Sequence, residues 1–357
     1  MNELEQLEQL VNSITPTDQS ARDRATVRQA QLTKPAGSLG RLEDISIWLA
    51  GIYGTEKPVI AGKAVIVCAG DHGVARERIS AYPSEVTPAM VQNFLAGGAA
   101  VSAIARVVKA RVLVLDVGMN ADLPDHADLI QAKVRRGTGN IAKEPAMTRL
   151  ETAQAILAGA NAAKRAIEAG ANLLAAGDMG IGNTTPSAAL TAWLTGKDVI
   201  EVTGRGTGID VVTLSRKISI IELVLDNARE AGLEPDDALA ALEVMGGLEI
   251  AAMVGVMLQG ASSKIPVIVD GFIAGAAALV ACGISSTVQE YLSASHVSQE
   301  PGHRIQLTHL KLEPLFDYGL RLGEGTGAML AMPVLEAAAR TLTEMATFAE
   351  GNVPNKT

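Results

Sequence analysis

The stretch NLLAAGDMGIGNTTP, residues 172–186, decides how this chain is to be read. A short, mostly apolar run from Asn172 to Ala176 stops at Gly177 and Asp178. It then passes through a glycine turn onto a helix that Thr185 caps and Pro186 opens. At such a turn the backbone N–H groups point outward, the glycines let a ligand approach, and the helix dipole favours an anion. Asn183, Thr184 and Thr185 supply more hydrogen-bonding side chains than a cap requires. Gly180, Ile181, Gly182, Asn183 and Thr184, with Asp178 just before them, are therefore candidates for holding a phosphate.

Three further runs share this form. Ala64–Ala69 (AVIVCA) ends at Gly70-Asp71-His72-Gly73, Val112–Val117 (VLVLDV) at Gly118, and Pro266–Asp270 (PVIVD) at Gly271. All are continuous rather than alternating, as expected of parallel strands covered on both faces. Helical stretches lie between them. Thr87 and Pro88 open one that runs to about Lys109, and Thr148 with Glu151 makes a capping box before Leu150–Ala169. The alternation predicts an α/β fold with an open, mainly parallel, Rossmann-like sheet and helices on both faces. Ligands would then bind beyond the carboxyl ends of the strands. Residues 1–55 and 329–357 read as helical and are expected to form a small helical domain beside a large α/β domain of residues 56–328.

Composition narrows the function. The chain has 357 residues, 48% of them hydrophobic, with 35 Gly but only 4 Phe, 4 Tyr and 2 Trp. Such a core is built from small and branched aliphatics, which argues against an aromatic platform for stacking bases. A net charge of -9 opposes attraction to nucleic acid or to anionic membranes. Cys68 and Cys282 sit in apolar runs far apart, as in a reduced cytoplasmic chain, and Met1–Gln9 carries no secretion-signal pattern. Gly271–Gln289 has no charge for 19 residues, but its three glycines and polar last third predict a buried helix rather than a membrane span.

Two more loops have the form Gly-x-Gly-Thr-Gly, at Gly204–Gly208 and Gly323–Gly327. The first carries Arg205 and is followed by Arg216 and Lys217, so it either completes a phosphate site or precedes a solvated basic face. In the second, Glu324 stands between glycines, where a poorly hydrated carboxylate with a raised pKa makes a competent base near neutrality. His296, His303 and His309 match no zinc spacing, and no metal is expected. Asp71-His72 could touch a ligand or form a structural pair. Met245, Met253 and Met257 read as core.

Taken together, LTKPAGSLGRLE (Leu32–Glu43), AGDHGV (Ala69–Val74), GDMGIGNTT (Gly177–Thr185), GRGTG (Gly204–Gly208), VDGFIAGAAAL (Val269–Leu279), SHVSQEPGH (Ser295–His303) and LRLGEGTGA (Leu320–Ala328) resemble the nicotinate-nucleotide:dimethylbenzimidazole phosphoribosyltransferases of cobalamin biosynthesis. The motifs run in order over essentially the whole chain. The resemblance implies transfer of the 5-phosphoribosyl group from nicotinate mononucleotide to 5,6-dimethylbenzimidazole, with inversion at ribose C1 and no cofactor, by a homodimer. It implies Glu324 as the catalytic base. The nucleotide would be held by Gly180, Gly182, Asn183, Thr184, Gly204 and Gly206, with Lys217 and Ser295, and the benzimidazole by Ser84, Gln92 and Leu322. Asp178 departs from the family pattern, in which glutamate is more usual.

The residues agree with that chemistry. Nicotinate leaves as a neutral ring and needs no proton, while the attacking benzimidazole must lose one, so a single carboxylate suffices. Glu324 reads as such a lone acid, and PVIVD ends in Gly271 without a second acid to hold magnesium. A nicotinamide-dependent oxidoreductase is disfavoured by the missing GxGxxG fingerprint. A non-catalytic nucleotide sensor on the same fold stays open.

Overall fold

The computed structural model describes residues 1–354, so the last three residues of the expected 329–357 segment lie outside the described residues. Its strands are β1 (Lys63–Gly70), β2 (Arg111–Gly118), β3 (Leu129–Gln131), β4 (Leu173–Met179), β5 (Val267–Val269) and β6 (Leu292–Ala294). They form one sheet in the order β3-β2-β1-β4-β5-β6, parallel throughout. The chain builds outward from β1 to β3, then restarts at β4 on the other side of β1. A crevice therefore opens at the carboxyl ends of β1 and β4, where the strand order reverses.

Both faces are covered, which is why the strand sequences are continuously apolar. Ala64, Ile66 and Cys68 of β1 join Leu113 and Leu115 of β2 in one core with helices Arg149–Glu168, Thr184–Thr195, Leu248–Ser262 and Phe272–Ile284. Val65, Val67 and Ala69 face the other way, into a core with helices Arg41–Tyr53, Val86–Leu95, Ala100–Val108 and Thr326–Glu344. Met245, Met253 and Met257 are fully buried in the first core, and the uncharged run gives the buried helix Phe272–Ile284.

Two expectations are corrected, and two strands are added. The helix expected from Thr87 to Lys109 is two helices, because Gly97 takes a left-handed φ of 74° that an α-helix cannot continue through, and the chain restarts at Ala100. The 23-residue apolar run Val86–Val108 is accordingly not one continuous helix. Neither proline follows its threonine cap at a helix start: Glu85 and Asn183 occupy the cap positions, so both threonines lie inside their helices. Strands β3 and β6 were absent from the sequence reading, since LIQ and LSA lack the unbroken β-branched run and following glycine that mark the equally short β5 in PVIVD-Gly271.

The chain ends meet. Thr33 N–H donates to Ala346 O (3.0 Å), Phe348 N–H to Gln31 O (2.9 Å), and Arg28 Nε to Leu342 O (2.8 Å). The Thr326–Glu344 helix also packs its first turns on the sheet, through Ala328, Met329 and Met332. The expected boundary between residues 328 and 329 falls inside that helix.

Candidate active site

At the end of β4 the turn is held so tightly that Gly180 has no room for a side chain. A Cβ on Gly180 would stand 2.5 Å from Gly70 O, and Gly182 takes a φ of 94°. Ile181 is buried and its N–H donates to Thr87 Oγ1 (3.2 Å), which ties the Val86–Leu95 helix to the turn. Asn183 donates through Nδ2 to Asp178 Oδ2 (2.9 Å).

A buried cation joins this turn to the GRGTG loop. Lys217 is fully buried, and its Nζ donates to Thr184 Oγ1 (2.7 Å) and to Gly204 O (3.2 Å). Two acceptors for three ammonium hydrogens leave one N–H for another partner. Burial pulls the lysine down to about 8, against the opposing charge of Glu300. Glu300 fixes the loop from below: its Oε1 accepts from Gly206 N–H (2.9 Å), and a Cβ on Gly204 would collide with its Oε2. Arg205 and Arg216 are exposed. Arg216 and Lys217 thus part company: Arg216 is exposed, as a solvated face requires, while Lys217 is buried between the two loops.

Glu324 lies at the start of the Thr326–Glu344 helix and is 5% exposed, with its Oε2 buried and lacking a hydrogen-bond donor. Burial raises its pKa above the ordinary glutamate value, while the Val101 N–H draws it down. The expectation of a lone carboxylate here is overturned. Asp178 and Asp270 sit close enough to interact with it electrostatically, since the topology sets the ends of β4 and β5 side by side. Burial, then the charge of Asp270, pushes Asp178 up to about 8. Burial likewise raises Asp270 to about 7, against three backbone N–H donors. Among the described residues no group of three or more His, Cys, Asp or Glu is arranged to hold a metal ion.

These shifts have a stability consequence. Each carboxyl releases its proton at a higher pH in the folded chain than in an unfolded one, where the ordinary pKa is 3.8. The stability they contribute is complete below that value and is lost as pH rises through about 7 and about 8. Asp178→Asn, whose amide oxygen can still accept from Asn183, is expected to melt with a smaller difference between about pH 5 and about pH 8 than the parent chain. Calorimetry at the two pH values measures this, and an unchanged difference rejects the assignment.

Other expected residues fall around this centre. Ser295 is buried; its Oγ donates to Asp270 O (3.0 Å) and lies 2.9 Å from His296 Nδ1. Ser84 is half-buried, while Gln92 and Leu322 are exposed. The loop leading to Ser84 rests on the GRGTG loop, where Thr207 Oγ1 accepts from Ala81 N–H (3.0 Å). Asp71 and His72 do not pair with each other. Asp71 Oδ2 accepts from Asn120 N–H (2.8 Å), while His72 Nε2 lies 2.7 Å from Glu249 Oε1, fully buried beneath Gly180. Burial acts to lower the His72 pKa, but Glu249 together with the charges of Asp71 and Asp178 outweighs it and the net direction is up.

The sequence reading missed Asp270, Glu249 and Glu300. A positional signal existed: Asp71, Asp116, Asp178 and Asp270 each stand in or just after the last residues of a strand, at the edge where ligands bind.

A doubly wound parallel sheet with glycine turns, a buried lysine and clustered carboxylates at its carboxyl edge defines an α/β enzyme. Comparison with known proteins gives the family. A family model described as phosphoribosyltransferase matches residues 14–353. A nicotinate-nucleotide-dimethylbenzimidazole phosphoribosyltransferase of Deinococcus radiodurans is 54% identical over 354 residues, covering 98% of this chain and 96% of that protein. Its counterpart in Chloroflexus aurantiacus is 51% identical, covering 97% and 98%. The crystal structure of the enzyme of that name from Thermus thermophilus superposes with a TM-score of 0.89 at 48% identity, covering 95% of this chain and 100% of that one. The chain belongs to the nicotinate-nucleotide-dimethylbenzimidazole phosphoribosyltransferase family and is a transferase.

Proposed function

We propose that this chain transfers the 5-phosphoribosyl group of nicotinate mononucleotide to 5,6-dimethylbenzimidazole, giving α-ribazole 5'-phosphate and nicotinate, as a homodimer in the cytoplasm. The relatives' names and the motifs support the substrates. The observation that carries the reading is the placement of two groups at one sheet edge: a buried lysine with a spare N–H between two glycine loops, and a buried carboxylate one of whose oxygens lacks a donor. The first suits the phosphate end of a nucleotide and the second suits proton removal.

Chemically, the bond from ribose C1 to the pyridinium nitrogen breaks, and its electron pair neutralises the departing nicotinate. A benzimidazole nitrogen lone pair forms the new bond to C1 from the opposite face, so a β-nucleotide gives an α-product. The proton on the second ring nitrogen passes to the Glu324 carboxylate. Burial at the loop supports this step by raising the affinity of that carboxylate for a proton. Gly180, Gly182, Asn183, Thr184, Gly204 and Gly206 hold phosphate and ribose, with Ser295 and Asp178 beside them. Ser84, Gln92 and Leu322 face the benzimidazole.

The test mixes the protein with nicotinate mononucleotide and follows nicotinate release. Release that requires dimethylbenzimidazole supports the transferase; no release, or release without the second substrate, overturns it. Within this reading, Lys217→Met is expected to raise the nucleotide KM about tenfold or more while changing kcat less, the loss typical of a charged hydrogen bond. Steady-state kinetics check it, and an unchanged KM removes Lys217 from the site.

A further inference from the structure

We propose that Asp270 is a positioning residue for Glu324, holding its loop in the one backbone shape that aims the carboxylate into the crevice. This rests on the reading of Glu324 as the base. The loop is unusual: Gly323, Glu324 and Gly325 have φ of 83°, 62° and 84°, so the left-handed region is occupied at successive positions, one of them a side-chain-bearing residue. A non-glycine residue there is strained and persists only when its surroundings fix it.

Those surroundings are specific. The helix that follows begins at Gly325, which has no side chain to cap it. Asp270 supplies the cap from the neighbouring strand: Oδ2 accepts from Gly325 N–H (3.2 Å) and Oδ1 from Ala328 N–H (2.8 Å). A carboxylate at this end also interacts favourably with the positive end of the helix dipole. Asp270 is itself immobile, fully buried at the end of β5, with its carbonyl taking the Ser295 hydroxyl. On the other side the loop lies against bare backbone, since a Cβ on Gly177 would come within 2.5 Å of Glu324 O. Asp178 closes the remaining direction, because a Cβ on Gly323 would come within 2.8 Å of its Oδ1. The loop thus rests on Gly177 and Asp178 and is drawn down by Asp270.

Asp270→Asn tests this with little change of volume. One amide oxygen can still receive the Ala328 N–H, but the amide nitrogen would face the Gly325 N–H, donor against donor. The expected result is a fall in kcat of about 100-fold, the scale of a 1 Å misplacement, with the nucleotide KM within about threefold of the parent. Adding Asp270→Asn to Glu324→Gln is expected to cause little further loss, because both changes remove the same proton transfer. A merely structural role would move neither the kcat-to-KM split nor this non-additivity. If Glu324→Gln is inactive while Asp270→Asn turns over normally, or if the two losses multiply, the positioning role is overturned and the base assignment stands. If Glu324→Gln turns over normally, the base assignment itself is rejected. Should Asp270→Asn fail to fold, Asp270→Ser is read in the same way, and failure of both to fold marks Asp270 as a general stabiliser and overturns the proposal.

Discussion

Glu324→Gln is expected to lower kcat by about 100-fold or more while leaving the nucleotide KM nearly unchanged, the loss usual for a general base. Glutamine keeps the size of the side chain and the backbone of the loop but cannot take a proton. Lys217, Thr184 and Gly204, which form the cation end of the site, are untouched. The parent enzyme should also lose activity toward acid as the carboxylate protonates. Burial raises that pKa above the ordinary 4.5, so the acid limb should lie above this value and disappear in the variant. Single-turnover and steady-state rates across pH measure both effects. Wild-type turnover at saturating substrates would remove Glu324 from the chemistry, whereas a raised KM with normal kcat would make it a binding group.

How far the sequence carried this site depends on the distance between partners. Strands β1, β2, β4 and β5 were legible because each lies in a local apolar run ending at or next to glycine, and the glycine loops because glycine itself carries the signal. The Thr148 capping box was likewise visible, since its partners are three residues apart. The electrostatic surroundings of Glu324 were not. Asp270 grips Gly325 across 55 residues, and Glu249 reaches His72 across 177. Nothing local to PVIVD shows that its aspartate meets another carboxylate, because that meeting is made by the pairing of β4 with β5. The same holds for Lys217 and Arg216, adjacent in sequence yet opposite in environment, since the rotation of about 100° between successive helical residues decides which faces inward.

The scarcity of aromatic residues, 3% of the chain, has a counterpart in how the helices beneath the sheet cross. Helices Arg149–Glu168 and Leu248–Ser262 meet at two reciprocal glycines. A Cβ on Gly159 would lie 1.8 Å from Ala252 O, and one on Gly255 would lie 1.8 Å from Ile156 O. These are backbone contacts, so no change of rotamer relieves them, and the helices would have to part. Helix propensity alone would have alanine at Gly255 stabilise the chain by about 1 kcal/mol. Overpacking a close interface typically costs about 1–3 kcal/mol and sometimes more, and here it acts on the helix layer that covers β1, β2 and β4. Gly255→Ala is therefore expected to lower the melting temperature by several degrees, at roughly 2–4 °C per kcal/mol, and Gly255→Val to abolish soluble expression. Gly351→Ala, whose Cβ would meet neighbours only at 3.4 Å and beyond, is the control and should melt within about a degree of the parent. A Gly255→Ala chain that melts at or above the parental temperature would show that the two helices can separate freely, and that close backbone contact is not what excludes larger side chains from this core.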